Sequence, residues 1–156
     1  MVRFATVRDA EQLEILNAEF NGDGETCLEA VKESLLHNRQ EIVIVDEEAE
    51  ILAGFLCVQL KKSFCYEEYM PEITELYVKP GFRRRGIAKE MLLFAENYCV
   101  KNFSFHEIIL LTGDDNDIAQ ALYRKLGYRD EGEIHLAKPF PAPVEDFAPD
   151  ICKIGG

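Results

Sequence analysis

The chain has 156 residues, 47% of them apolar and 29% charged, with a formal net charge of -12 at pH 7. That length suits one domain with a sizeable core, and the negative balance argues against nucleic acid as a partner and for a cationic one. No run approaches the roughly 18 apolar residues that span a bilayer, and Met1 to Asp9 has no apolar signal core behind a basic start. The expectation is a cytoplasmic protein with no membrane partner.

In chain order, Val2 to Val7 alternates as a strand. Asp9, with Gln12 three residues later, reads as a capping box for a helix carrying Leu13, Leu16 and Phe20 on one face. The cluster Asn21-Gly22-Asp23-Gly24 breaks it, and a second helix is expected from about Thr26 to His37. Glu41 to Val45 and Ile51 to Leu60 are apolar, β-branched runs joined by the acidic stretch Asp46 to Glu50, which reads as a hairpin. After a polar connection from Ser63 to Pro71 comes a strand near Ile73 to Val78. A helix follows from Gly86 to Val100, with Ile87, Met91, Phe94 and Tyr98 as its inward stripe.

Glu107 to Leu111 reads as another strand, Asn116 to Leu126 as another helix and Tyr128 to Leu136 as a last strand. Val78 through Leu111 is then a strand-helix-strand unit, expected to be parallel and right-handed. The fold class is mixed α/β: a central, mostly antiparallel sheet flanked by helices, forming one domain over residues 1–137. The tail from Lys138 carries Pro139, Pro141, Pro143 and Pro149, which forbid a regular helix. Two readings of it stand: a disordered segment, or one whose Phe140 and Phe147 cover a neighbouring surface, as in a homodimer.

The five cysteines, Cys27, Cys57, Cys65, Cys99 and Cys152, are odd in number and include no C-x-x-C pair. That argues against a disulfide framework and against a metal site of the zinc type. Small buried thiols are the expected explanation of Cys57 and Cys99. A nucleophilic cysteine is disfavoured, because His37, His106 and His135 stand in no recognisable motif.

The most informative stretch runs from Ile73 to Ala88, an apolar strand entering a tight turn, Arg83-Arg84-Arg85-Gly86-Ile87-Ala88, and then a helix. A helix start offers unpaired N–H groups and partial positive charge, both favourable to phosphate. Gly86 and Ala88 lack bulk that would hold a diphosphate away, and arginine supplies a permanently charged fork of donors. Neither G-x-x-x-x-G-K-[ST] nor G-x-G-x-x-G occurs. Taken alone, the turn also fits an ordinary solvated loop.

Arg83, Gly86 and Ala88 match the Q/R-x-x-G-x-G/A motif with which the GCN5-related N-acetyltransferases bind acetyl-CoA, and the stretch Glu75 to Ala88 resembles theirs. About thirty residues downstream, Asn116, Ala119, Leu122, Tyr123, Gly127 and Tyr128 match that family's N-x-x-A-x-x-L-Y-x-x-x-G-F/Y pattern. The resemblance implies acetyl-CoA as cofactor, its diphosphate on Arg83, Arg84, Arg85, Gly86, Ile87 and Ala88. It implies two strands splayed around the pantetheine arm, which bonds backbone groups of Leu76, Tyr77 and Val78 and the side chain of Asn116.

Catalysis needs a neutral amine, a polarised thioester and an acid for the departing thiolate. Tyr123 occupies the position of the family's acid, and a tyrosine hydroxyl suits a basic thiolate. Without the flanking motif it reads as a core aromatic on an amphipathic helix. Glu75 is the first candidate for the base and Glu72 the second. Strict alternation puts 73, 75 and 77 on one face and 72, 74, 76 and 78 on the other, so only one of the two should face the substrate. A backbone N–H near Val78 is the expected oxyanion donor.

The acceptor expected is the primary amine of a small cationic molecule, attacking directly in a ternary complex. Asp114-Asp115-Asn116-Asp117 and the following Ala121 to Gly127 are similar to the corresponding stretch of aminoglycoside 3-N-acetyltransferases, although only Asp117 of the acidic cluster aligns with an acid there. Aminoglycosides and polyamines are therefore both candidates. A peptide or protein N-acetyltransferase and a non-catalytic acyl-CoA sensor are the alternatives.

Overall fold

Residues 1–141 are described in the computed structural model. The strands are β1 (Val2–Phe4), β2 (Glu41–Glu48), β3 (Ile51–Lys62), β4 (Tyr69–Val78) and β5 (Ile109–Leu110), and the helices α1 (Ala10–Asn21), α2 (Leu28–His37), α3 (Ile87–Asn102) and α4 (Asp117–Lys125). The strands form one sheet in the order β1-β2-β3-β4-β5. The first three pairings are antiparallel and β4 to β5 is parallel. The mixed, mostly antiparallel sheet expected from the sequence is therefore present. Two compact units divide the chain, one spanning Met1–Leu111 and the other beginning at Thr112. The sheet and α1 to α3 belong to the first, α4 to the second.

Alternation along β2 and β3 gives the sheet two apolar faces. Val43, Val45, Phe55, Cys57 and Tyr77 pack on one of them with Leu13 and Leu16 of α1 and Val31 and Leu35 of α2. On the other lies Phe4, opposite Ile44, whose ring meets Phe94 and Tyr98 of α3 edge-on at 5.1 and 4.8 Å. The buried stripe of α3 is Ile87, Met91, Leu92, Ala95 and Cys99. Phe94 and Tyr98 flank that stripe, half-buried. Full burial of a side chain such as Met91 or Leu92 contributes about 1.5–3 kcal/mol.

Several sequence expectations are corrected by the structure. β1 ends at Phe4, and Val7 enters a short 3-10 turn, Val7–Asp9. Asp9 and Gln12 form no capping box. The Asp9 carboxylate accepts from the Thr6 backbone N–H at 2.7 Å and from both terminal nitrogens of Arg3 at 2.8 Å. Hydrogen bonding to Arg3 outweighs burial and holds Asp9 below the usual carboxylate range. Gln12 instead donates to the Glu50 carbonyl at 3.1 Å and accepts from the Leu52 N–H at 2.8 Å, tying the start of α1 to the β2-β3 hairpin. The hairpin is present but longer than expected, with Ala49 and Glu50 alone at its tip, at φ 49° and 66°.

The supposed connection through Pro71 is shorter, since β4 already begins at Tyr69. At the other end of the chain, residues 128–136 form no strand. Gly132, at φ 76°, and the charged run Arg129 to Glu133 break the apolar alternation, and Ile134 and Leu136 are exposed. Of the tail, residues 142–156, with Pro143, Phe147 and Pro149, lie outside the described residues. Among the described residues no helix is long and apolar enough to cross a membrane.

Candidate active site

β4 is paired along its whole length by β3 but by β5 only at Glu72 and Ile73. From Thr74 to Val78 its second edge faces no strand among the described residues, so the two parallel strands stay paired only at Glu72 and Ile73. The Lys79 N–H donates to Ala53 of β3 at 2.9 Å. Antiparallel alternation then turns the backbone groups of Tyr77 toward β3 and those of Leu76 and Val78 toward the open edge. The backbone groups of Tyr77 are therefore engaged by β3, whereas those of Leu76 and Val78 face the open edge. Gly54 lets the strands approach: a Cβ there would stand 2.3 Å from the Tyr77 carbonyl oxygen.

The turn after β4 starts with a 3-10 turn, Pro80–Phe82, and ends at Gly86, the left-handed residue (φ 87°) that precedes α3. Arg84 is also left-handed, at φ 63°. The first helical bond runs from the Glu90 N–H to the Gly86 carbonyl. The N–H groups of Ile87, Ala88 and Lys89 therefore lie at the free, partially positive end of the helix.

Each arginine is used differently. The Arg83 Nε donates to the Val78 carbonyl at 2.8 Å, and its guanidinium lies over the Tyr77 ring, 5.8 Å from the centroid. Arg85 pairs with Glu48 at 2.8 Å and covers the Phe82 ring. Arg84 has no ion pair to a described residue. Free helix N–H groups, a glycine with open space above it and three cations bring together the chemistry that suits a diphosphate.

The glutamates depart from the sequence expectation. A β-bulge interrupts the β3-β4 ladder, for Cys57 stands opposite Glu75 while the next residue, Val58, stands opposite Ile73. Thr74 is the extra residue, and it reverses the alternation of β4. Glu75 faces Cys57 and Glu72 faces Gln59, two positions apart on β3, so both carboxylates occupy the same face, that of α1 and α2. What separates them is pairing, since Glu72 forms an ion pair with Lys61. Glu75 has no hydrogen bond or ion pair to a described residue.

Glu75 lines a cavity of about 700 Å³ between that face and α1 and α2. Its other polar walls include Asn17, Asn21, Glu25, Thr26, Glu41 and Gln59, and among the described residues no lysine or arginine lines it. Glu41 accepts from Gln59 at 3.0 Å and from the Ser34 hydroxyl at 3.0 Å, which holds it in the wall. The sequence alone marks out none of Lys61, Glu25 and Glu41: the two glutamates count only toward the general acidic surplus, and Lys61 carries no signal.

Cys57 also lines this cavity, and burial, with Glu41 and Glu75 adding to it, pushes its thiol well above the ordinary range. It stays protonated at neutral pH, unlike a nucleophile. Cys99 is pushed up to about 11, chiefly by burial. Cys57, Cys65 and Cys99 are free thiols. The exposed His37 and His106 pair with Glu33 and Glu68, and neither histidine lines the cavity.

In the second unit, Asn116 caps α4, its side-chain oxygen accepting from the Ala119 N–H at 3.2 Å. Gln120 donates to the Gly113 carbonyl at 2.7 Å and closes the loop before the helix. The helix stops where the Tyr128 N–H donates to the Tyr123 carbonyl, with Gly127 at φ 98°. The Tyr123 ring meets that of Tyr128 edge-on at 5.9 Å, and burial raises its hydroxyl above the ordinary tyrosine value.

Known proteins share this fold. The family model described as "Acetyltransferase (GNAT) family" matches residues 10–128. Among solved structures, an aminoglycoside acetyltransferase, meta-AAC0020, from an uncultured soil metagenomic sample, in complex with sisomicin, superposes with a TM-score of 0.78 at 18% identity, covering 90% of this chain and 96% of that one. AAC(6')-Iy, in complex with the bisubstrate analog CoA-S-monomethyl-acetylneamine, gives 0.78 at 17%, covering 90% and 98%. A ribosomal-protein-alanine N-acetyltransferase from Brucella melitensis biovar Abortus 2308 gives 0.74 at 15%, covering 88% and 97%. At these identities the structures share the fold. The family match, across most of the chain and over both motifs, carries the assignment: the chain belongs to the acetyltransferase (GNAT) family, the N-acetyltransferases that use acetyl-CoA.

Proposed function

We propose that the protein transfers an acetyl group from acetyl-CoA to a primary amine of a small cationic acceptor, an aminoglycoside, polyamine or similar molecule. The observation that carries this reading is the cavity beside Glu75, with Glu25 and Glu41 in its walls and no cationic side chain among the described residues that line it. Such a site attracts a polycation and repels anions.

Acetyl-CoA supplies the activated acyl group. Its diphosphate would rest on the N–H groups from Gly86 to Ala88, with the arginines as supporting charge. Its arm would bond Leu76 and Val78 at the open edge and Asn116. Glu75 withdraws the proton from the ammonium of the acceptor, directly or through water, as the amine attacks the carbonyl in a ternary complex. The Val78 N–H donates to the developing oxyanion, and Tyr123 protonates the leaving sulfur. Its raised hydroxyl pKa suits an acid that must still hold its proton at neutral pH.

The test is acetyl-CoA turnover against a panel of aminoglycosides, polyamines and peptides, with Tyr123→Phe beside the parent. Small polycations should be acetylated, and Tyr123→Phe should lower kcat by about 100-fold and abolish any alkaline limb above the ordinary tyrosine range. Turnover of peptides alone would indicate a protein acetyltransferase. Coenzyme A binding with no turnover of any amine would indicate a sensor.

A further inference from the structure

We propose that Glu19 is a positioning residue that fastens the α1 wall of the acceptor cavity to the cofactor end of β4. The inference rests on the cavity beside Glu75 being the acceptor site. Glu19 lies in the last turn and a half of α1, between Asn17 and Asn21, which both line the cavity and bond each other at 2.9 Å. Its own carboxylate contacts β4 and the residue after it. One oxygen accepts from the Tyr77 hydroxyl at 3.0 Å, and the other pairs with the Lys79 ammonium at 3.2 Å.

These two partners bracket Val78, whose N–H faces the open edge and whose carbonyl is held by Arg83. Arg83 covers the Tyr77 ring, and the Phe20 ring of α1 meets the same tyrosine at 5.3 Å. One charged side chain thus adds a polar tie, beside the apolar contact of Phe20, between the helix that shapes the amine pocket and the strand end that presents the oxyanion donor and the first arginine of the diphosphate turn. No other ion pair in the described residues links α1 to β4 or to the turn after it.

The pull is local. Immediately after α1 the chain turns through Gly22, at φ 107°, and Gly24, at φ 84°. Two left-handed glycines leave the end of the helix little backbone restraint of its own. Glu19 supplies that restraint through a doubly bonded carboxylate, a stronger contact than a neutral hydrogen bond. Its role is to keep Asn17 and Asn21 at a constant distance from the reacting carbonyl, without touching substrate.

Glu19→Gln and Tyr77→Phe test this in full-length protein. For Glu19→Gln the KM of the acceptor should rise by about tenfold, with kcat and the Kd of coenzyme A changed by less than about twofold. Glu19→Asp, which keeps the charge but is shorter, should not restore it. Amide hydrogen exchange at residues 17–21 should quicken by about tenfold in both variants, at unchanged exchange in α3. An unaltered acceptor KM, or an equal rise in the coenzyme A Kd, overturns the proposal. Should the parent acetylate no amine, the functional reading fails, and the exchange measurement still decides: unchanged rates at 17–21 refute the tether, and quickened rates uphold it.

Discussion

The two halves of β4 make opposite use of one strand. The amino half, through Ile73, is paired by β3 and, at Glu72 and Ile73, also by β5, and its Glu72 forms an ion pair with Lys61. The carboxyl half, from Thr74, is paired on one side only, and its Glu75 has no ion-pair partner among the described residues. Thr74 is both the bulge and the first residue beyond the β5 pairing, so one insertion separates the doubly paired stretch from the singly paired one. Similar residues on the same face differ in chemistry because their neighbours differ.

The sharpest break of this comparison is between the two glutamates. Glu75→Gln should lower kcat by about 100-fold or more, whereas Glu72→Gln should stay within about threefold; equal losses in steady-state assays would refute the distinction. Next in size is Gly54→Val. Its Cβ would meet the Tyr77 carbonyl at 2.3 Å. Forcing β3 and β4 apart should cost about 1–3 kcal/mol in urea unfolding and raise the acetyl-CoA KM, because the displaced strand carries the open edge.

A smaller effect is expected at the turn beyond it. Gly86→Ala finds empty space but must hold φ 87°, so its strain is conformational, about 1–2 kcal/mol. Calorimetric titration should show weaker coenzyme A binding with the acceptor KM preserved. The smallest is a control that leaves β4 alone. Arg3 depresses the Asp9 pKa in the folded state, so the pair stabilises the protein above the ordinary carboxylate pKa, and that contribution is lost as pH falls through the lowered value. Asp9→Asn should flatten the acid side of the stability profile without changing kcat near neutral pH.

Much of this was legible in the sequence for identifiable reasons. The Arg83 to Ala88 turn was readable because a glycine before a helix and clustered arginines have local causes, and the long α3 because its apolar stripe repeats over four turns. The order of helices and strands through Leu111 follows from the same periodicities. Thr74 was not readable: a bulge is a property of two strands in register, and the β4 sequence alone suggests unbroken alternation. For the same reason Glu72 and Glu75 were expected on opposite faces, and Lys61, on another strand, could not be seen as a partner of Glu72. Asp9 looked like a helix cap because Arg3 and Thr6, which claim its oxygens, act through the fold. The last strand was inferred from Tyr128, Ile134 and Leu136, too few apolar residues to outweigh Gly132 and the charges around it.

The tip of the β2-β3 hairpin offers an engineering handle. Ala49 and Glu50 both adopt left-handed dihedrals that Asn and Gly accept with less strain. The tip is stitched to Gln12 through the backbone of Glu50 and Leu52, so a replacement of both side chains leaves those bonds in place. An Asn-Gly tip would raise thermal tolerance while sparing every residue assigned to chemistry. Catalytic variants that lose stability could then be rescued in that background, allowing activity to be measured apart from folding.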